Sequence, residues 1–493
     1  MQSRREFCGQ LAAMAGLAMA PGTLRAAEGS SGRPNIVVFL IDDMGWGDLG
    51  CYGDTFHETP HIDQLARESM KFTNAYAGAP VCSPSRAAIL TGQAPARLHL
   101  TQWIPGVLYP YKQLLEAPTP LHLQAGIPTI ASVLKSAGYR TAAIGKWHLG
   151  GEGYLPENFG FDVNIAGDNH GHPPSYFGPF HFHNLTGYTA KDYLTDVLTE
   201  KMDAFVRDAA KKGPFFLYMA EYSVHLPLEA KLAMIEKYRR KNGGPNADGD
   251  ARDPVYAAMI ESTDIALGSL RTVLERAGVA DNTIILLTSD NGGVGFQGRK
   301  LHRIADNGGL RAGKGFLYEG GIREPLLVHW PGVTKPGSVC DVPIIGTDFM
   351  STVLAMAEAG PAPQPADGLD FSALLRGGST LHRDTLYWHY PHYSDQGGKP
   401  SGAIREGEWK LIEFFEDNHV ELYNLTLDPG EQYDLASSFG EKAVALRAKL
   451  HAWRARMNAA MPTPNPRFNP QLEVAHAGPV GCSWESAANC RED

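Results

Sequence analysis

The run Asn35-Ile36-Val37-Val38-Phe39-Leu40-Ile41-Asp42-Asp43 decides the fold. It carries no charge until it stops at two adjacent carboxylates. A strand with one wet face alternates apolar and polar residues, whereas an unbroken apolar run fits a strand covered on both faces, as in a parallel sheet. Working outward, Thr283-Ile284-Ile285-Leu286-Leu287-Thr288 has the same character, and segments 214–219 and 139–144 supply two more such runs. Helical patterning lies between them, at 127–137, 193–211 and 254–277. Strands alternating with helices predict an α/β fold with a mostly parallel central sheet flanked by helices.

From about Arg376 the texture changes. Segments 385–390, 409–415 and 420–424 read as short strands, and Leu446, Leu450, Trp453 and Met457 recur at helical spacing as a packing face. The organisation expected is therefore an export signal over 1–27, a large α/β domain over 34–375, a smaller α+β subdomain over 376–460 and an extended tail over 461–493.

The signal is read from Ser3-Arg4-Arg5-Glu6-Phe7, a twin-arginine pattern, followed by a short apolar, small-residue run and the cleavage stretch Leu24-Arg25-Ala26-Ala27. The apolar run from Leu11 to Ala20 is too short to span a bilayer, and no second membrane segment is visible. A periplasmic or secreted location follows. With 44 basic and 54 acidic residues the chain has a formal net charge of −10, which argues against a nucleic-acid partner. An anionic substrate must then be held by local cations. The six cysteines are too few for a disulfide scaffold and form no zinc pattern. Cys482 and Cys490, flanking a polar C-terminal loop, are candidates to pair in an oxidising compartment.

Ligand sites in parallel α/β sheets gather at the carboxyl ends of the strands. Two such ends carry oxygen donors here, Asp42-Asp43 and Asp290-Asn291. Taken separately, Asp42 could cap a helix and Asp290 could make a turn. Crowded together, three carboxylates and an amide call for a hard cation, calcium or magnesium. Between them, Pro84 suits the first turn of a helix and places Cys82 at its N-terminus, where free N–H groups favour an anion. Arg86 adds positive charge in the same turn, although a lone cysteine is most often a buried structural residue.

Cys82-x-Pro84-x-Arg86 followed by Leu90-Thr91-Gly92 resembles the signature of the formylglycine-dependent sulfatases of the cysteine type. Further landmarks stand in the family's order: Asp42-Asp43, Gly145-Lys146-Trp147-His148-Leu149-Gly150, Val224-His225-Leu226-Pro227, Ser289-Asp290-Asn291-Gly292, and Gly313-Lys314-Gly315 before Tyr318-Glu319-Gly320-Gly321. The resemblance runs from about residue 34 to about 440. It implies an alkaline-phosphatase-like large domain and hydrolysis of a sulfuric ester. It further implies that a formylglycine-generating or sulfatase-maturating enzyme oxidises Cys82 to formylglycine. One hydroxyl of the hydrated aldehyde attacks sulfur and the second expels sulfate. By the same resemblance one calcium ion, in preference to magnesium, is held by Asp42, Asp43, Asp290, Asn291 and residue 82. Lys146 and Lys314 clamp the sulfate, His225 contacts the sulfate or its leaving oxygen, His148 orients residue 82 and accepts its proton, and Arg86 holds the surroundings of the nucleophile.

Two departures stand out: Ala312 where many relatives have glycine, and Glu324 where an apolar residue is commoner. Segments 97–126 and 151–190, with Trp103, Tyr176 and Phe177, are expected at the pocket rim, either as sugar-stacking aromatics or as plain surface loops. The stretches 100–106 and 175–180 resemble those of bacterial polysaccharide sulfatases, and a sulfated galactose or N-acetylgalactosamine residue is the expected substrate. The alternatives are a phosphoester or phosphonate hydrolase of the wider superfamily and a non-catalytic glycan-binding relative.

Overall fold

The computed structural model describes residues 32–242, 252–295 and 304–475. The export signal, Cys482 and Cys490 lie outside them. A nine-stranded sheet runs in the order Ile344–Ile345, Met70–Tyr76, Arg323–His329, Thr283–Ser289, Asn35–Ile41, Phe215–Ala220, Arg140–Gly145, Val163–Ile165, with Ser338–Cys340 also pairing on Met70–Tyr76. Arg323–His329 runs antiparallel to both neighbours and the other pairings are parallel. The four apolar runs of the sequence are the four adjacent central strands, each displaced by no more than a residue from its expected bounds.

All seven residues of Asn35–Ile41 are buried, because successive side chains point to opposite faces and both faces are covered. Val37, Phe39 and Ile41 enter one core with the helices Leu194–Ala209 and Pro254–Arg276. Ile36, Val38 and Leu40 enter the other, with the helices Cys82–Thr91, Ile130–Ser136 and Asp348–Met356. The helix expected over 127–137 starts later, at Ile130, because the Thr129 side chain caps it and forms a capping box with Ser132.

A second, antiparallel sheet is formed by Thr385–Tyr390, Ser401–Glu406, Trp409–Phe414 and Val420–Asn424. One face packs Ile404, Leu411 and Leu422 against Leu446, Leu450, Trp453 and Met457 of the helix Gly440–Met457. The other packs Trp388, Ala403, Ile412 and Tyr423 against Leu317, Tyr318 and Ile322, which follow Lys314 in the chain. At this junction Lys410, fully buried, places Nζ 2.9 Å from Glu319 Oε1 and 2.9 Å from Glu431 Oε1. Past the helix, Thr463–Pro464 pairs with Leu114–Leu115, and the Asn465 side chain donates to the Pro110 and Lys112 carbonyls.

Candidate active site

The four central strands end level. Ile41 pairs with Ser289, Leu40 with Ala220 and Gly145 with Ala220, so the residues that follow each strand emerge at one edge. These are Asp42 and Asp43, Asp290 and Asn291, Lys146 and His148, and the turn that leads to His225. Cys82 opens the buried helix Cys82–Thr91 just beyond Met70–Tyr76; extended Val81 is its N-cap and Gly92, in the left-handed region at φ 67°, ends it. Lys314 arrives on a loop held from two sides: its N–H donates to the Gly293 carbonyl at 3.0 Å, and the next N–H, of Gly315, to the Pro80 carbonyl at 2.8 Å. The structure thus gathers all ten residues singled out by the sequence at one strand edge.

Their contacts form a closed charge network. Lys146 Nζ lies 2.7 Å from Asp42 Oδ2, and Lys314 Nζ lies 2.8 Å from Asp43 Oδ2. Asn291 Nδ2 donates to Asp43 Oδ1 at 2.8 Å. Arg86 is wholly buried; Nε donates to Asp290 Oδ2 at 2.9 Å, Nη1 to the Lys146 carbonyl at 2.8 Å, and Nη2 lies 3.5 Å from Asp42 Oδ1. Its guanidinium therefore locks two strand ends together. Asp43 and His148 hold left-handed backbone at φ 60° and 56°, conformations that cost energy and mark sites whose surroundings over-determine them. Gly145, at φ 100°, has no room for a side chain, since a Cβ there would meet the Ala220 carbonyl oxygen at 1.9 Å. Ala312 sits at φ 59°, which is the reason glycine suits that position. Glu324 is buried against Thr288, and burial together with Asp290 raises its carboxyl well above the usual range.

Electrostatics separates the acids. Burial and then Asp290 raise Asp42 well above the ordinary carboxylate range, with Lys146 opposing. Burial also works against ionised Asp43, but Lys314 and His225 overcome it and hold the group far below the ordinary range. Asp290 is lowered because Arg86 and Lys146 outweigh its burial. The coded Cys82 thiol is disfavoured as a thiolate by burial, yet Lys146 and Lys314 bring it down to about 6.

The tautomers of both histidines are set by backbone carbonyls. His225 donates Nδ1–H to the Leu226 carbonyl at 2.9 Å, leaving the Nε2 lone pair to accept from Lys314 Nζ at 3.0 Å. His148 donates Nε2–H to the Ile104 carbonyl at 2.5 Å, so its buried Nδ1 carries the lone pair and has no partner among the described residues. Burial lowers both pKa values, helped by Lys314 for His225 and by Lys146 for His148.

Sequence reasoning missed the supports. Tyr176, expected at the rim, is fully buried, and its hydroxyl donates to the Tyr222 and His225 carbonyls at 2.5 and 2.9 Å. The Asp168 carbonyl accepts the His148 N–H at 2.9 Å. Gly171 lies against the His148 ring, where a Cβ would meet Cε1 at 2.7 Å. The partners of these contacts are distant in the sequence, so a tyrosine at 176 or a glycine at 171 does not announce what it supports.

This edge can bind an oxyanion between two lysines and hold a hard cation between acid oxygens. A family model described as Sulfatase matches residues 34–359, and one described as N-sulphoglucosamine sulphohydrolase, C-terminal, matches residues 312–457. Human arylsulfatase A is 32% identical over 490 residues, with 87% of this chain and 89% of the relative covered. Human N-acetylgalactosamine-6-sulfatase is 30% identical over 512 residues, with 93% and 90% covered. The crystal structure of Ps i-CgsB in complex with k-i-k-neocarrahexaose superposes with a TM-score of 0.71 at 29% identity, covering 90% of this chain and 96% of that chain. The chain belongs to the sulfatase family and is a sulfuric ester hydrolase of the alkaline-phosphatase-like fold. Among the described residues no helix is long and apolar enough to cross a membrane.

Proposed function

We propose that this enzyme removes sulfate from a saccharide of the galactose or N-acetylgalactosamine type. Residue 82, converted from cysteine to formylglycine by a maturation enzyme, is the nucleophile, and calcium is the resident ion. The observation that carries the reading is the placement of Cys82 at a buried helix N-terminus, between a trio of carboxylates and two lysines.

The donor set fits a hard divalent cation held by Asp42, Asp43, Asp290, Asn291 and residue 82. Ligand atoms of Asp42, Cys82 and Asp290 lie within 4.8 Å of one another. Asn291 Oδ1 is buried with no hydrogen-bond partner among the described residues, and Asp42 Oδ1 makes no hydrogen bond there and has Arg86 Nη2 only at 3.5 Å, an expensive state that a bound cation relieves. When present, the ion supplies Lewis-acid polarisation and the formylglycine hydrate supplies paired hydroxyls for attack and release.

The chain's own residues supply the rest. Lys146 and Lys314 hold the sulfate oxygens with charge that needs no reorganisation at the moment of reaction. His148 takes a proton at Nδ1, the nitrogen its Ile104 bond leaves available. His225 turns Nε2 towards Lys314, so that a proton passed from the Lys314 ammonium to Nε2 goes on to the departing oxygen. Arg86 keeps Asp290 and the Lys146 backbone in register with the nucleophile.

The saccharide reading is supported by the names of relatives that act on N-acetylgalactosamine 6-sulfate and by the carrageenan oligosaccharide bound to a similar structure. A periplasmic or secreted location is supported by the twin-arginine pattern at Arg4-Arg5. The test is mass spectrometry of the peptide containing residue 82 from native protein, paired with sulfate release from sulfated galactosides and phosphate release from matched phosphate esters. An aldehyde and a preference for sulfate are expected. An intact thiol in active protein overturns the nucleophile, and a preference for phosphate overturns the substrate class.

A further inference from the structure

We infer that Trp103 is the platform on which the sulfated sugar ring stacks, so that it selects a saccharide in place of other sulfate esters; this rests on the saccharide reading above. Three features of the residue carry it.

The first is an anchored backbone under an open side chain. On one side Gln102, 3% exposed, donates Nε2–H to the Tyr393 carbonyl at 3.2 Å and accepts the Tyr390 hydroxyl at 3.0 Å, which ties the loop to the second sheet. On the other side Ile104, 6% exposed, donates its N–H to Ser83 Oγ at 3.1 Å, beside the nucleophile, while its carbonyl accepts His148 Nε2–H. Trp103 between them is only part-buried. A part-buried side chain on a backbone fixed from both flanks loses little entropy on binding.

The second is position. The Trp103 ring centroid lies 6.5 Å from that of His148 at an interplanar angle of 48°, so it borders the sulfate pocket. The indole packs on the apolar cluster that contains Val81, Leu317 and Tyr390, so part of its surface is supported by protein while the rest stays exposed. The third is its polar tip. The indole N–H has no acceptor among the described residues, and such a group beside an apolar face suits a ring that offers both C–H and hydroxyl groups. Of the aromatics beside it, Tyr176 is wholly buried, Tyr109 is bonded to Asp395, and Phe177, part-buried like Trp103, has its ring against Tyr193 and not against a residue of the site.

The experiment measures KM and kcat of the wild type, Trp103→Ala and Trp103→Phe on N-acetylgalactosamine 6-sulfate and a neocarrageenan oligosaccharide, with inorganic sulfate as competitive inhibitor. Loss of an aromatic stacking partner is expected to raise KM about tenfold in the alanine variant, with the phenylalanine variant recovering most of it. Inhibition by inorganic sulfate should not change, because the oxyanion pocket is intact. An unchanged KM overturns the inference. So does a parallel weakening of sulfate inhibition, which would mean that Trp103 only supports His148. Wild-type protein that releases sulfate from neither sugar, yet does so from an aryl sulfate, overturns the saccharide reading and the platform with it.

Discussion

Replacing Lys410 by methionine tests how the second sheet is joined to the catalytic edge. The ammonium is 0% exposed and lies 2.9 Å from a carboxylate oxygen of both Glu319 and Glu431. Glu431 Oε2 accepts the Glu319 N–H at 2.6 Å, and the Tyr76 hydroxyl donates to Glu319 Oε2 at 2.7 Å, so neither acid can turn to water. Methionine keeps the volume and removes the charge. Breaking a buried pair by deleting one partner costs about 3–5 kcal/mol, because the other charge is left uncompensated. Two features place the cost within that range. Arg323 Nη1 still lies 3.5 Å from Glu319 Oε2, which spares Glu319 the full penalty. Burial raises Glu431 to about 7, with Lys410 opposing and Glu319 adding to it, so at pH 6 this acid already holds its proton. A group whose folded pKa lies above its unfolded value contributes stability that is complete below pH 4.5 and is lost as pH rises through 7. The cost should therefore be about 3 kcal/mol at pH 6 and approach about 5 kcal/mol at pH 8. With an unfolding entropy of roughly 2 cal/mol/K per residue over some 400 residues, this is a Tm shift of about 4–6 °C. Denaturant and calorimetric unfolding at both pH values would measure it. Lys410→Met combined with Glu319→Gln and Glu431→Gln should recover most of the loss, since a neutral buried trio carries no unpaired charge. A single variant within 1 kcal/mol of wild type at pH 8, or a triple variant no better than the single, would refute the reasoning.

Other outcomes follow from the same structure. Glu221 is fully buried, neither carboxyl oxygen has a partner among the described residues, and burial with some help from Asp196 lifts it to about 8. Wild-type stability should fall as pH rises from 4.5 through 8, whereas Glu221→Gln should flatten that slope and gain up to about 5 kcal/mol on wild type between pH 4.5 and pH 9; parallel profiles for the two proteins would exclude an ionising Glu221. Gly171→Ala pushes a methyl group into the His148 ring, 2.7 Å from Cε1, and should lower kcat at least about tenfold while costing about 1–3 kcal/mol of stability. A variant with wild-type kcat would show that the ring moves freely. Chelation of divalent metal should lower Tm and stop sulfate release, with calcium restoring both better than magnesium, because the carboxylates Asp42, Asp43 and Asp290 are otherwise crowded at one strand edge. Unchanged melting in chelator would remove the ion from the site.

Much of the architecture was legible because burial on both faces writes itself into residue type. The runs 36–41 and 284–287 have no polar position because no position of these strands faces water. The strands that were not legible lack that signature. Met70–Tyr76 is only partly covered, and Lys71, Thr73 and Asn74 interrupt its apolar residues. Arg323–His329 opens with Arg323, Glu324 and Pro325, residues that argue against an interior strand, although it lies between two others. In the second sheet, Ser401–Glu406 carries Ser401, Gly402, Arg405 and Glu406 around two apolar residues and is too short to announce itself.

The site divides in the same way. Residue types at the strand ends and at one helix start picked out Asp42, Asp43, Asp290, Asn291, Cys82 and Arg86, and the resemblance to the sulfatases added Lys146, His148, His225 and Lys314. Most of them follow a strand or lie in the first turns of a helix, a local setting encoded nearby, whereas Lys314 is brought in by a loop. Which nitrogen of His148 or His225 carries the lone pair was decided by the carbonyls of Ile104 and Leu226. The full burial of Tyr176 and the partial burial of Trp103 were decided by what packs on their loops. A side-chain pattern reports how a segment meets water, and a cap reports how a helix begins. The order of strands in the sheet, which brings Asp42 to within 2.7 Å of Lys146 across more than a hundred residues, is a property of the packed chain and has no local signature.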